Sequence, residues 1–221
     1  MVGPPTSGAE RYAAMSKSRL ESFSDGVFAI AITLLVLTIA EPDNYHLLAH
    51  QLGSRWPSLA AYVVSFLIIG IMWLNHHTVF GHLEHVDRTF VYLNLFLLMT
   101  IVFLPYPTGV FGQALDRGTG ETTAAVFYSV TMLLNACCWV ALWLRASAGR
   151  RLLRADFPEY RRLKMTVLFT AGGAVYAVAI GIAFASAYAC LAFHAALAAY
   201  YALDPLSRGA DRSADGASDR P

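Results

Sequence analysis

Residues 19–39 constrain the fold of this chain more than any other segment. A polar turn holding Arg19, Ser24 and Asp25 runs without a break into Gly26-Val27-Phe28-Ala29-Ile30-Ala31-Ile32-Thr33-Leu34-Leu35-Val36-Leu37. The aliphatic part is only about fifteen residues, short of the roughly twenty that cross the hydrocarbon core of a bilayer. To span, this helix must carry Ser24 and Asp25 to the edge of the hydrocarbon or into it. An ionisable side chain there costs a few kcal/mol unless it is paired inside a bundle, which makes it a functional-site candidate.

The rest of the chain supplies that bundle. Hydrophobic residues make up 57% and charged residues 14%, where soluble domains average about 45–50% and about 25%. Beyond 19–39, apolar spans are expected at about 58–80, 90–112, 122–144, 166–186 and 187–203. The fold class is therefore an all-α integral membrane protein with six transmembrane helices per subunit, residues 19–203, between tails at 1–18 and 204–221. A polar loop is expected from Pro42 to Pro57, a kink or early stop at Pro105 and Pro107, and a tight hairpin between the last two spans. Gly172, Gly173 and Gly181 are expected where helices approach closely. Cys137, Cys138 and Cys190 read as buried thiols, since no CxxC or Cys/His ligand spacing is present. Cleavage of residues 19–39 as a signal peptide is disfavoured by Asp25 at the start of the run and by the five spans that follow.

Charge placement gives the orientation. Of the sixteen Lys and Arg, Arg55 and Arg117 fall on one side of the six-span topology and the other fourteen on the opposite side. The positive-inside rule then puts both termini in the cytoplasm of a cell whose inner (plasma) membrane holds the chain. The basic loop 145–165 reads first as a topology determinant and second as an attractor of anionic headgroups. No nucleic-acid motif and no Gly-rich phosphate loop accompany it. Tyr200-Tyr201, and less strongly Trp139 and Trp143, suggest interfacial belts.

At about 100° per residue, Ile30, Leu34 and Leu37 share one stripe of the first helix, and Phe23 continues it. Asp25 points about 140° away from Ile30 by the same rule. Trp73, Asn75, His76, His77 and Asn94 fall at the depth of Arg19, Ser24 and Asp25. Buried polar groups need partners, so Asp25 is expected to bond one of His76 or His77, supported by Arg19 and Asn94.

Arg19-x-x-x-Phe23-Ser24-Asp25, leading directly into the aliphatic run, resembles the first-helix signature of the transmembrane protein 175 potassium channel family in its bacterial single-repeat form. The resemblance implies a potassium-selective, leak-like channel, a homotetramer with first helices lining the pore and without the re-entrant filter loop of ordinary potassium channels. It implies a hydrophobic constriction at Ile30, Leu34 and Leu37, with Thr33 supporting selectivity. The motif and interhelical residues are then Arg19, Phe23, Ser24, Asp25, His76, His77 and Asn94. The permeating ion is K+, with other monovalent cations or protons as further candidates, and no cofactor is implied. The partners are further copies of the chain and membrane lipids.

Two other classes fit these residues less well. A proton-coupled secondary transporter would use Asp25 and His76/His77 as a relay; no repeat between the two halves supports it. A membrane-embedded enzyme is disfavoured because HExxH, GxSxG and paired-carboxylate motifs are absent. His76, His77, His82 and His85 lie close in sequence, but their spacing matches no familiar zinc site, so no metal is expected.

Overall fold

Ser16 starts the first helix, its hydroxyl accepting the Arg19 amide at 3.4 Å. The structure, a computed structural model, describes residues 16–42 and 45–202. Most of the expected 1–18 tail and all of the 204–221 tail lie outside the described residues. Helix α1 is Lys17–Leu34 and tightens into a 3-10 turn over Leu35–Thr38. After a 3-10 turn at Tyr45–Leu47 comes a short α2, Leu48–Ser54, where the sequence suggested only a loop between two prolines. Helix α3 spans Trp56–Gly81, with Pro57 in its first turn, where a missing amide leaves nothing unpaired.

Helices α4 (Arg88–Phe103) and α5 (Pro105–Arg117) form one 30-residue apolar stretch with a break at Leu104. Pro105 and Pro107 lack the amides that would bond the carbonyls of Ile101 and Phe103. The Leu104 amide tightens onto Ile101 O instead, at 3.1 Å. Gly118 and Gly120, at φ 65° and 71°, turn the chain into α6, Glu121–Ser147. Helix α7 is Glu159–Ala185 and α8 is Ala187–Ala202. The expected tight hairpin is a single residue, Ser186, whose hydroxyl accepts the Ala189 amide at 3.2 Å.

The described residues are thus all-α. Five stretches are long and apolar enough to cross a membrane, and α8 is apolar but only 16 residues long. The basic segment expected as a loop over 145–165 is helical at both ends: α6 runs to Ser147 and on into a 3-10 turn at Ala148–Arg150, α7 begins at Glu159, and Arg161, Arg162 and Lys164 sit on the first turns of α7.

Helix α1 packs against α3, α4 and α5, whereas α7 packs chiefly against α6 and α8. The close approaches occur at unexpected glycines. A methyl group on Gly112 would stand 2.8 Å from Ser58 Cα, and one on Gly109 2.9 Å from Thr38 Cβ. Gly172, Gly173 and Gly181 have nothing within 4 Å of that position. Trp139 and Trp143 are core residues rather than an interfacial belt: both pack on Phe169, and the Trp143 indole donates to Thr166 at 2.9 Å. Cys190 is buried, but Cys137 is exposed, contrary to expectation.

One end of the bundle is stitched together by loops. Leu83 and Leu153 form an isolated antiparallel bridge, flanked by Glu84 N to Leu152 O at 2.9 Å and Arg154 N to His82 O at 3.1 Å. Lys17 Nζ donates to Phe80 O and Leu83 O, both at 2.9 Å, tying the start of α1 to the end of α3 and the loop after it. Asp87 caps α4 by accepting the Phe90 amide at 2.8 Å and also pairs with Arg145 of α6. The Arg145 guanidinium holds the Asp87 carboxyl below its ordinary value of 3.8. A lowered native pKa stabilises fully above the unfolded value, and that stability fades as pH falls toward the native one. Asp87→Asn keeps the cap and loses the charge. Its melting temperature should lie a few degrees below wild type at pH 7, and the gap should close as the medium is acidified below about pH 4; thermal melts of both proteins across pH check this.

Candidate functional site

Helix α1 is apolar on both sides, so its faces are told apart by what covers them rather than by polarity. Leu20, Ser24, Phe28, Ala31 and Leu35 follow the i, i+4, i+8, i+11, i+15 spacing and are buried. A stripe about 110° round the helix is uncovered: Phe23 is 54%, Ile30 57%, Leu34 36% and Leu37 77% exposed. Thr33, on the flank of that stripe, is exposed too, and its hydroxyl donates to Ile30 O at 2.8 Å. The 3-10 turn sharpens the alignment. Residues three apart eclipse there, which brings Leu37 nearly into line with Leu34, where α geometry would offset them by about 60°.

A buried polar chain sets the rotation of α1. His76 Nε2 lies 2.9 Å from Asn94 Oδ1, and Asn94 Nδ2 donates to Ser24 Oγ at 3.0 Å. The Ser24 hydroxyl donates in turn to Leu20 O at 2.8 Å. Asn94 presents its carbonyl oxygen to His76, so Nε2 must be the protonated ring nitrogen. All three side chains are fully buried, with His76 stacked on Phe80 at 4.2 Å and edge-on to Phe28 at 5.3 Å. Ser24 meets Asn94 only when the Ile30 stripe faces away from α3 and α4.

Asp25 does not bond either histidine. It accepts the Trp73 indole N–H at 2.9 Å, while His77 sits 3.3 Å from Glu21. Tryptophan is a donor without an acceptor and satisfies an acidic group without a proton relay. Asp25, His77 and His76 thus have three separate polar neighbours, Trp73, Glu21 and Asn94. The Arg19 side chain is exposed and joins none of these contacts among the described residues.

Sequence reasoning missed the anchors at the far end of α1. Gly109 of α5 admits Thr38 against its backbone, and Gln113 Nε2 reaches Thr38 O at 3.5 Å. Arg55 donates to Ala40 O and, at 2.7 Å, to Glu41 O. Asp116 of α5 caps α3 by accepting the Ser58 amide at 3.2 Å. The 3-10 turn is therefore held on α5, which is held on α3. The only sequence signal was the pair Gly109 and Gly112, one helical turn apart after two prolines.

Two substitutions probe these anchors. Asn94→Leu strands the buried His76 N–H, at about 1–3 kcal/mol for the orphaned group, and takes from Ser24 a donor although its hydroxyl keeps Leu20 O; it should lower the melting temperature of the purified protein by several degrees. Gly109→Ala, whose methyl group would stand 2.9 Å from Thr38 Cβ, should displace the Thr38 end of α1, altering the reactivity of a cysteine placed at Leu37 and also lowering the melting temperature.

The site can be compared with known proteins. A family model described as the endosomal/lysosomal potassium channel TMEM175 matches residues 19–105. A protein from Streptomyces collinus, named as a potassium channel, is 46% identical over 187 residues, spanning 83% of this chain and 90% of the relative. Another so named, from Chamaesiphon minutus, is 36% identical over 189 residues, spanning 84% and 93%. The crystal structure of a lysosomal potassium-selective channel TMEM175 homolog from Chamaesiphon minutus superposes with a TM-score of 0.76, covering 85% of this chain and 96% of that one.

Proposed function

The chain belongs to the TMEM175 family of potassium channels, and from that premise we propose a homotetramer whose four α1 helices line a potassium-selective, leak-like pore closed by Ile30, Leu34 and Leu37. The observation that carries this reading is the uncovered aliphatic stripe on a helix whose buried face is locked into its own subunit. One such stripe encloses nothing; four around an axis make a narrow apolar neck.

A neck of that kind gates by dewetting: its walls offer water no hydrogen bonds, so the ion's hydration shell is lost without replacement. Thr33 is the polar exception. Its hydroxyl hydrogen is used on Ile30 O, which leaves oxygen lone pairs free to face a passing K+. The working arrangement is six membrane crossings within residues 19–203, α8 being the short sixth. The Lys17 end and both termini face the cytoplasm, and the chain sits in the plasma membrane. K+ is the permeating ion and no cofactor takes part.

Potassium flux into liposomes loaded with purified protein tests the reading, with sodium as comparison. Ile30→Asn hydrates the neck, and lowering its barrier by about 1.4 kcal/mol would raise flux roughly tenfold. Thr33→Ala should reduce the preference for potassium over sodium with assembly unchanged. Equal flux for wild type and Ile30→Asn in assembled protein would contradict a constriction at Ile30.

A further inference from the structure

At the Lys17 end of the bundle every acidic side chain that pairs with a cation of the α6–α7 connection is accounted for. Asp87 holds Arg145, Glu159 holds Arg150 and Arg162, and Asp156 holds Arg154. Arg151, Arg161 and Lys164 are exposed and have no acidic partner among the described residues; Arg161 Nε contacts only the Tyr160 hydroxyl, at 3.2 Å. The positive charge converges. Burial and then Arg161 and Arg154 hold the His82 imidazole, which lies over Phe157, below the usual histidine range.

Arg161 and Lys164 stand one turn apart on α7, on a flank that Leu168 and Ala171 continue toward the middle of the helix. Leu168 is 45% exposed, and only Ala179 and Ala183 of the whole helix are buried. Unpaired cations thus stand at the foot of an uncovered apolar face. Helix α7 also packs chiefly on α6 and α8, whereas α1 packs on α3, α4 and α5. With α1 at the pore axis, α7 lies on the flank of the subunit away from it, and this placement rests on the proposed channel arrangement.

We propose that the Arg161–Lys164 edge of α7 is a docking site for an anionic phospholipid. The Arg161 fork and the Lys164 ammonium hold the headgroup phosphate. An acyl chain lies along Leu168 and Ala171. Anionic headgroups concentrate where cations flank a membrane helix, and the apolar face below them selects a lipid over a free anion. Tyr160, 67% exposed, sits at the same boundary.

The test uses full-length protein in detergent, titrated with phosphatidylglycerol, phosphatidylcholine or inorganic phosphate, and read by native mass spectrometry and by melting temperature. The expected result is retained phosphatidylglycerol adducts and a raised melting temperature, with neither from phosphatidylcholine or phosphate. Arg161→Gln with Lys164→Gln should weaken phosphatidylglycerol binding about fivefold per cation removed, with lipid-free melting unchanged, whereas Arg117→Gln at the opposite end should not weaken it. Equal binding of the two lipids, full retention by the double variant, or matching stabilisation by inorganic phosphate would each overturn the proposal. Lipid binding is read without ion flux, so a failed pore assignment and a failed docking site give different results: the first leaves the adducts intact, the second leaves the effect of Ile30→Asn on flux intact.

Discussion

The hydrogen bond from Asn94 to Ser24 fixes the orientation of the helix on which the structure turns. An apolar helix in an apolar bundle has no polarity contrast to set its rotation, and aliphatic packing alone tolerates sliding and turning. A serine with one buried amide partner does not. Once Ser24 is committed to Asn94, and Asn94 to His76, the positions about 80° to 140° round the helix on the Ile30 side are committed to facing out. The uncovered Ile30, Leu34 and Leu37 are thus a consequence of a polar contact at the other end of the helix.

The ends of α1 are held by different chemistry. At the start, Lys17 reaches the carbonyls of Phe80 and Leu83 at and just past the end of α3, joining α1 to the loops stitched by the Leu83–Leu153 bridge. At the finish, Gly109 and Gln113 grip the 3-10 turn, with Arg55 bonding the strand-like exit beyond it. From Phe23 to Leu37 the exposed residues carry side chains without hydrogen-bonding ends, Thr33 excepted. In the channel reading, this concentrates rigidity in the subunit and leaves the four-fold contact to aliphatic packing, which can widen at little cost in broken polar contacts.

Much of this was legible in the sequence, and the failures have physical causes. The Ile30 stripe follows from helical periodicity, and Ser24, His76 and Asn94 were placed at one depth by the reversal of helix direction, which the structure turns into direct contacts. The partner of Asp25 was misread because charge complementarity favoured a histidine, while the Trp73 indole was the donor within reach. Glycine content pointed to α7 for close packing, but small residues permit an approach without requiring one, and the approach occurs at Gly109 and Gly112. Trp139 and Trp143 looked interfacial by position, yet ring stacking on Phe169 buries them. The 3-10 turn at Leu35–Thr38 had no sequence signature, since it depends on anchors supplied by α5.

The most direct test of the account is cysteine accessibility along α1 in conducting protein, with Cys137, Cys138 and Cys190 replaced by alanine. Cadmium should block potassium current through Ile30→Cys, Leu34→Cys and Leu37→Cys, because four thiols facing one axis can share an ion. It should spare Val36→Cys, which is exposed but in the 3-10 turn lies about a third of a turn from Leu34 and Leu37. Block at Val36→Cys with current intact at Ile30→Cys and Leu34→Cys would mean that the Ser24–Asn94 contact does not turn the Ile30 stripe toward the ion path.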